Sequence, residues 1–200
     1  MIKRLLDIVL SVIGLVVLSP VIGYLAWRIR REMGSPVLFR QTRPGLHGQP
    51  FQMLKFRTMR DALDGDGNLL PDAERITQLG RFLRSSSLDE LPELWNVLRG
   101  DMSLVGPRPL LMEYLDYYTD EEMLRHTVRP GVSGLAQVSG RNAITWNDRL
   151  SYDVQYVKTR SLALDLKIIA KTIRQVIKRE GVVVVPSTTY RKLSEERSKR

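Results

Sequence analysis

Apolar residues run almost unbroken from Leu5 to Trp27, LLDIVLSVIGLVVLSPVIGYLAW, a stretch that would reach about 35 Å as one straight helix, enough for a bilayer core. Three features argue against an ordinary span. Pro20 lacks the N–H that would bond the carbonyl of Val16 and disfavours helical geometry at Ser19, so a break is expected at Ser19-Pro20. Basic residues flank both ends, Lys3 and Arg4 before, Arg28, Arg30 and Arg31 after, and their preference for the cytoplasmic side holds both ends on one face. Asp7 is costly in hydrocarbon unless it lies at headgroup depth, with Lys3 and Arg4 as its helical neighbours. A re-entrant helix-break-helix meets all three conditions. A kinked span and a cleaved signal peptide are the alternatives, the second without a clear small-x-small cleavage site.

Further along, Val37–Gln41 and Phe51–Phe56 read as two short strands around a Pro/Gly-rich loop, and 61–75 as a polar surface loop able to serve as a lid. Helical spacing returns over Ile76–Arg84 and again where Leu88, Leu91, Trp95 and Leu98 recur, with Gly100 as the stop. Leu111–Thr119 and Asp120–His126 suggest short helices, 129–142 a glycine-punctuated loop, and Leu162–Arg179 a long final helix. Its apolar stripe, Leu162, Leu166, Ile169, Ile173 and Val176, runs beside a basic one of Lys167, Lys171, Arg174 and Lys178. That pairing suits either an anionic lipid surface or a core with a solvated edge. After Pro186 the chain is polar and disorder is expected. The expected fold class is α/β (α+β, helix-rich), a small sheet packed with several helices plus the N-terminal re-entrant membrane helix-break-helix.

Composition narrows the partners. The chain has 200 residues, enough for one domain with a core, and 31 Lys+Arg against 22 Asp+Glu give a formal charge of +9. Its partners are therefore anionic: nucleic acid, nucleotide phosphates or an acidic leaflet. Without cysteine it makes no disulfide or thiolate metal site, and a metal left to oxygen ligands or two histidines favours Mg²⁺. DGDGN (64–68) imitates an EF-hand opening but places Leu69 and Arg75 where that loop needs glycine and glutamate. Neither His47 nor His126 has a second ligand at helical spacing.

The stretch SSSLDELPELWNVLRGD (85–101) sets Asp89 and Glu90 side by side. Ser87 and Glu90 fit a capping box, which would explain both acids without chemistry, although Pro92 moves the helix start past them. Cations bracket the pair: Lys55, Arg57, Arg81 and Arg84 upstream, Arg108 within GPRP, then Arg129 and Arg141 around the glycine-rich loop. Taken singly these are solvated arginines and a rigid turn. Arginine forks and backbone N–H groups freed by glycine are, however, what phosphate oxygens need, and beside an anchor and an acid pair they point to phosphoryl chemistry at a membrane surface.

The apolar helix with Ser19-Pro20, KFRTM (55–59), RSSSLDELPELWNVLRGDMSLVGPRP (84–109) and RPGVSGLAQVSGRN (129–142) resemble the small monotopic phosphoglycosyl transferases, the bacterial sugar transferase family, over nearly the whole chain. The likeness is greatest to the minimal form that transfers phospho-N,N′-diacetylbacillosamine to undecaprenyl phosphate in protein glycosylation, without added transmembrane helices. The resemblance implies a re-entrant anchor at 1–32, a catalytic domain with interfacial helices at 33–186 and a polar tail at 187–200. It implies a Mg²⁺-dependent enzyme seated in one leaflet on the cytoplasmic face of the bacterial inner membrane. The partners implied are a UDP-sugar donor and undecaprenyl phosphate, no nucleic acid, and an oligomeric state open to a homodimer.

Residue by residue, Asp89 would be the nucleophile and a Mg²⁺ contact, and Glu90 its partner. Arg84 would meet the acceptor phosphate, Pro107-Arg108-Pro109 would hold the nucleotide, and Lys55, Arg57, Arg129 and Arg141 would contact substrate. Ser19-Pro20 would turn the anchor back. Asp89 would attack the sugar-bearing phosphate, release UMP and pass the phosphosugar to the polyprenyl phosphate, the first membrane step of glycoconjugate assembly. Three alternatives stand beside this reading: direct transfer in a ternary complex with both acids as metal ligands, a Mg²⁺-dependent phosphohydrolase, and a membrane-anchored module that binds nucleic acid or lipid.

Overall fold

The computed structural model describes residues 2–140, 144–178 and 192–197. It opens with α1 (Ile2–Val17) and α2 (Ser19–Met33), bent by 62° at the expected break. Pro20 lies in the first turn of α2, and Ser19 Oγ donates to the carbonyl of Val16 at 2.7 Å, supplying the bond the proline cannot make. Among the described residues no single helix is long and apolar enough to cross a membrane; the bent pair passes that test only together.

Helix α1 is inside out. Its buried residues are Asp7 and Ser11, whereas Leu5, Val9, Val12, Ile13 and Val16 are exposed. The polar stripe docks it: Lys3 Nζ meets Asp165 at 2.7 Å, and Arg4 donates to the carbonyls of Val97 (2.6 Å) and Leu98 (3.0 Å). Asp7 accepts from Ser103 Oγ at 2.8 Å and from the Leu104 N–H at 3.1 Å. Its partners therefore lie across the fold and not along the helix at Lys3 and Arg4, because a carboxylate on the docked face has lost its water and must be satisfied by what it packs against.

The remaining helices are α3 (Asp72–Arg75), α4 (Gln78–Ser85), α5 (Glu93–Arg99), α6 (Asp120–Met123), α7 (Leu135–Ser139), α8 (Trp146–Thr159), α9 (Leu162–Lys178) and α10 (Leu193–Arg197). The expected small sheet is two separate pairs. β1 (Leu38–Pro44) and β2 (Pro50–Phe56) form an antiparallel hairpin, with Leu38 opposite Phe56 and Pro44 opposite Pro50. β3 (Ser103–Val105) and β4 (Gly131–Ser133) form a short parallel pair. β4 and α7 both fall within 129–142, read above as a loop; elements this short carry too little periodicity to show. Residues 112–117 and 124–127 are 3₁₀ turns flanking α6, which carries a Thr119/Glu122 capping box, where two helices were expected.

Two clusters hold the site in place. Leu25, Ile29, Phe56 and Leu83 join α2, β2 and α4, and Val105, Val128, Val138, Tyr156 and Ile168 join β3, α7, α8 and α9. On α9 only Asp165 and Ile168 are buried; Leu166, Ile173 and Ile177 of its apolar side stand exposed, so that stripe is not a core face. Against the disorder expected after Pro186, the described residues 192–197 include α10, which buries Leu193 completely against Leu110, Tyr114 and Leu150; the rest of that tail lies outside the described residues.

Candidate active site

Asp89 and Glu90 sit on a 3₁₀ turn, Leu88–Glu90, between α4 and α5. Ser87 enters it in the left-handed region (φ 57) and its side chain caps nothing, so the capping box is not formed. Glu90 turns its carboxylate toward cations instead: Lys55 Nζ stands 2.7 Å away, and the Arg108 guanidinium makes a short contact. The same two cations reach Glu93, Lys55 at 3.4 Å and Arg108 at 3.3 Å. Glu93, the first residue of α5, is fully buried.

The electrostatics follow. Burial alone would raise Glu90, but Arg108 and Lys55 outweigh it and hold that carboxyl well below its usual range. Burial pushes Glu93 up, against the pull of Arg108 and with the added charge of Glu90. Burial also raises Asp89, to about 6, Glu90 adding to the effect while Lys55, Arg108 and Arg84 oppose it. Asp89 is only 8% exposed, yet among the described residues no hydrogen bond or ion pair reaches its carboxylate.

Backbone contacts aim the cations. Asn96 of α5 locks β2, which carries Lys55, by accepting the Leu54 N–H (2.9 Å) and donating to the Gln52 carbonyl (2.8 Å). The GPRP turn packs backbone to backbone on β4: a Cβ at Gly106 would lie 2.4 Å from the Arg129 carbonyl oxygen, one at Gly131 2.1 Å from Gly106 N. Arg108 then donates to the Val132 carbonyl at 3.0 Å, and its own carbonyl accepts from Arg125 Nη2 at 2.6 Å. Arg125 is itself paired with Asp153 at 2.9 Å in the interior. Gly80 lets α4 press on the KFRTM segment, where a Cβ would come 1.9 Å from the Thr58 carbonyl oxygen, and Arg84 Nε donates to Thr58 Oγ1 at 3.1 Å.

The sequence profile of the bacterial sugar transferases matches residues 1–179. This chain belongs to the bacterial sugar transferase family. It is similar to the uncharacterized sugar transferase EpsL of Bacillus subtilis, 52% identical over 180 residues, 90% of this chain and 89% of that protein. It is 45% identical over 186 residues to the UDP-glucose:undecaprenyl-phosphate glucose-1-phosphate transferase of Caulobacter vibrioides, covering 86% of this chain and 68% of the relative. The undecaprenyl-phosphate galactose phosphotransferase of Salmonella typhimurium is 41% identical over 197 residues, 90% of this chain but 41% of that longer protein.

In this bacterial sugar transferase the structure gathers Lys55, Glu90 and Arg108 around Asp89, with Arg84 acting on Asp89 through its charge. Pro107 and Pro109 flank Arg108, and the Pro107 carbonyl accepts the Gly131 N–H at 3.0 Å. Arg57 is not brought to the acids: it donates to the carbonyls of Met33 (3.2 Å) and Met59 (3.0 Å) and to Asp61 (2.6 Å). Arg129 Nε donates to the Gly100 carbonyl at 2.8 Å, at the far end of α5, roughly 10 Å along its axis from the acids. Arg141 lies outside the described residues.

Glu93, Asn96, Thr58 and Arg125 were not picked out from the sequence. For the first two a signal existed: polar side chains on a short helix whose other inward positions are apolar. Among the described residues no three His, Asp or Glu converge as a closed metal site. Lys55 and Arg108 already neutralise Glu90 and Glu93, and one open carboxylate, Asp89, fits a Mg²⁺ ion that takes most of its ligands from substrate oxygens and water.

Proposed function

We propose that this chain is a polyprenyl-phosphate phosphoglycosyl-1-phosphate transferase that moves a sugar phosphate from a UDP-sugar to undecaprenyl phosphate and releases UMP. The Caulobacter and Salmonella relatives carry names of this reaction type. Those names specify glucose and galactose and give no support to diacetylbacillosamine, so the donor is written as a UDP-sugar. The observation that carries the reading is the split between adjacent acids, Glu90 clamped by Lys55 and Arg108, Asp89 buried beside it and unpaired.

In the proposed course an Asp89 carboxylate oxygen attacks the β-phosphorus of the donor, and the bond from that phosphorus to the bridging oxygen breaks. UMP leaves with the oxygen and the electron pair. An oxygen of the polyprenyl phosphate then attacks the same phosphorus and the carboxylate departs, restoring Asp89. Lys55 and Arg108, whose charges act on Asp89, are offered to the donor's phosphates, and Arg84 of α4 to the acceptor phosphate. Mg²⁺, held by Asp89 and the diphosphate, would supply charge neutralisation.

Membrane seating is part of the proposal. The outward apolar faces of α1 and α9 and the exposed Tyr24 and Trp27 on α2 support a protein lying in one leaflet with its acids near headgroup level. The deciding experiment is an acid quench of enzyme with β-³²P-labelled UDP-sugar and no acceptor. Label on the wild-type protein with stoichiometric UMP, and none on Asp89→Asn, is expected. Unlabelled wild type under conditions of full turnover would establish the ternary route instead.

A further inference from the structure

A cleft of about 750 Å³ lies between α2 and α4, apart from the acid centre, with Tyr24, Arg28 and Glu32 of α2, Leu79 and Phe82 of α4, and Arg60 among its walls. Asp89, Glu90, Lys55 and Arg108 do not line it. Its charges are left over from folding. Arg28 and Glu32 are one helical turn apart and able to pair, yet no ion pair forms between them, and Arg28 donates only to the Tyr24 hydroxyl at 3.2 Å. Neither Glu32 nor the Arg60 guanidinium has an ion-pair or hydrogen-bond partner among the described residues.

Two arginine forks and one carboxylate that ignore each other suit a ligand bearing both signs. A phosphodiester takes the forks. An ammonium takes the carboxylate and the face of Tyr24. A phosphodiester without an ammonium would leave Glu32 facing a like charge. The cleft also sits where a headgroup would be: Tyr24 and Phe82 are exposed at its rim, and α2 leaves the apolar segment there through Trp27, Arg28, Arg30 and Arg31. Leu79 and the aromatic rings offer apolar wall to the glycerol and first methylenes.

We infer that the α2–α4 cleft, which the acid centre does not line, binds the headgroup of an aminophospholipid of the phosphatidylethanolamine class. The inference rests on the membrane seating proposed above. It is tested with the full chain, delipidated in detergent and titrated with dihexanoyl phosphatidylethanolamine, dihexanoyl phosphatidylglycerol or glycerol 3-phosphate, binding being read by calorimetry. Wild type should prefer the ethanolamine lipid about tenfold, one charge-assisted contact's worth. Glu32→Gln should erase or reverse that preference, and Arg28→Ala with Arg60→Ala should weaken both lipids.

Equal binding of the two lipids, or a preference unchanged in Glu32→Gln, would overturn the assignment. Glycerol 3-phosphate binding as tightly as either lipid would make this a free-phosphate site and overturn it as well. The acid-quench label on Asp89 is read without phospholipid, so failure of the transferase reading and failure of this one give separate results.

Discussion

Lys55 Nζ lies 2.7 Å from Glu90 Oε1, and that contact, with Arg108 on the same carboxylate, decides which of two adjacent acids is free. A pair of unshielded carboxylates would share a proton and neither would be a dependable nucleophile. Here Glu90 absorbs the cations and stays ionised, and Asp89 keeps its oxygens unengaged.

The first consequence is a pH profile. In the proposed reaction Asp89 acts as a carboxylate, and its carboxyl is raised to about 6, so the reactive form is lost as pH falls through that value. Between pH 7 and pH 5 the ionised fraction drops about tenfold, and kcat/KM should drop with it. Initial rates of UMP release over that range check this; a rate flat down to pH 5 would show that Asp89 is not titrating in the free enzyme.

Glu90→Gln should move that limb toward acid. The charge of Glu90 is among the causes that raise Asp89, and its removal also frees Lys55 and Arg108 to act on Asp89. The turnover should fall because the two cations lose their shared anchor, while the acid limb shifts below 6. A limb that moves upward would mean that Glu90 holds Asp89 ionised, opposite to the arrangement described.

How much of this could be read in the sequence depends on the range of the interaction. The break at Ser19-Pro20 was legible because proline acts on the carbonyl four residues back, and the structure even returns the missing bond through Ser19 Oγ. Asp89 and Glu90 were legible as a pair, but their unequal roles were not, since Lys55 and Arg108 come from different elements and meet only when Gly106, Gly131 and Asn96 have packed. Arg57 and Arg129 show the converse: arginines in the right motifs that bond elsewhere, Arg57 to the Met33 and Met59 carbonyls and to Asp61, Arg129 through Nε to the Gly100 carbonyl. The direction of α1 was also hidden. A pattern of apolar positions does not say whether the few polar ones face in, and here Asp7 and Ser11 do.

Gly80→Ala should unseat α4. A Cβ there would lie 1.9 Å from the Thr58 carbonyl oxygen, backbone against backbone, so the helix must retreat from the segment that Arg84 grips. A cost of about 1–3 kcal/mol is expected, with a raised KM for polyprenyl phosphate. Gly65→Ala, where nothing lies within 4 Å, is the control and should stay within about 0.5 kcal/mol of wild type. Thermal melts in detergent distinguish them.

The anchor can be mapped by single-cysteine labelling, which the cysteine-free chain makes clean. Ile2→Cys and Arg31→Cys should both react with a membrane-impermeant maleimide only after the inner membrane is opened. With Ser19 and Pro20 both replaced by leucine the break loses its cause, and one of the two ends should become reachable from outside. Labelling of Ile2→Cys from outside in the otherwise native chain would overturn the re-entrant reading.

Helix α10 lies beyond the residues matched by the family profile. Leu193 is fully buried against Leu110, Tyr114 and Leu150, and Arg197 clasps Glu122 through two 2.7 Å bonds while donating to the Tyr117 carbonyl at 2.6 Å. Leu110 follows Arg108 by two residues, so the strap braces the turn that carries the cation of the acid centre. Leu193→Ala should cost about 2–5 kcal/mol, as for other large-to-small changes in a packed interior, whereas Leu166→Ala on the exposed side of α9 should cost little in detergent. Arg197→Glu and Glu122→Arg should each destabilise the protein, and the double exchange should recover part of the loss. If Leu193→Ala melts with the wild type, the strap contributes nothing to the frame around Arg108.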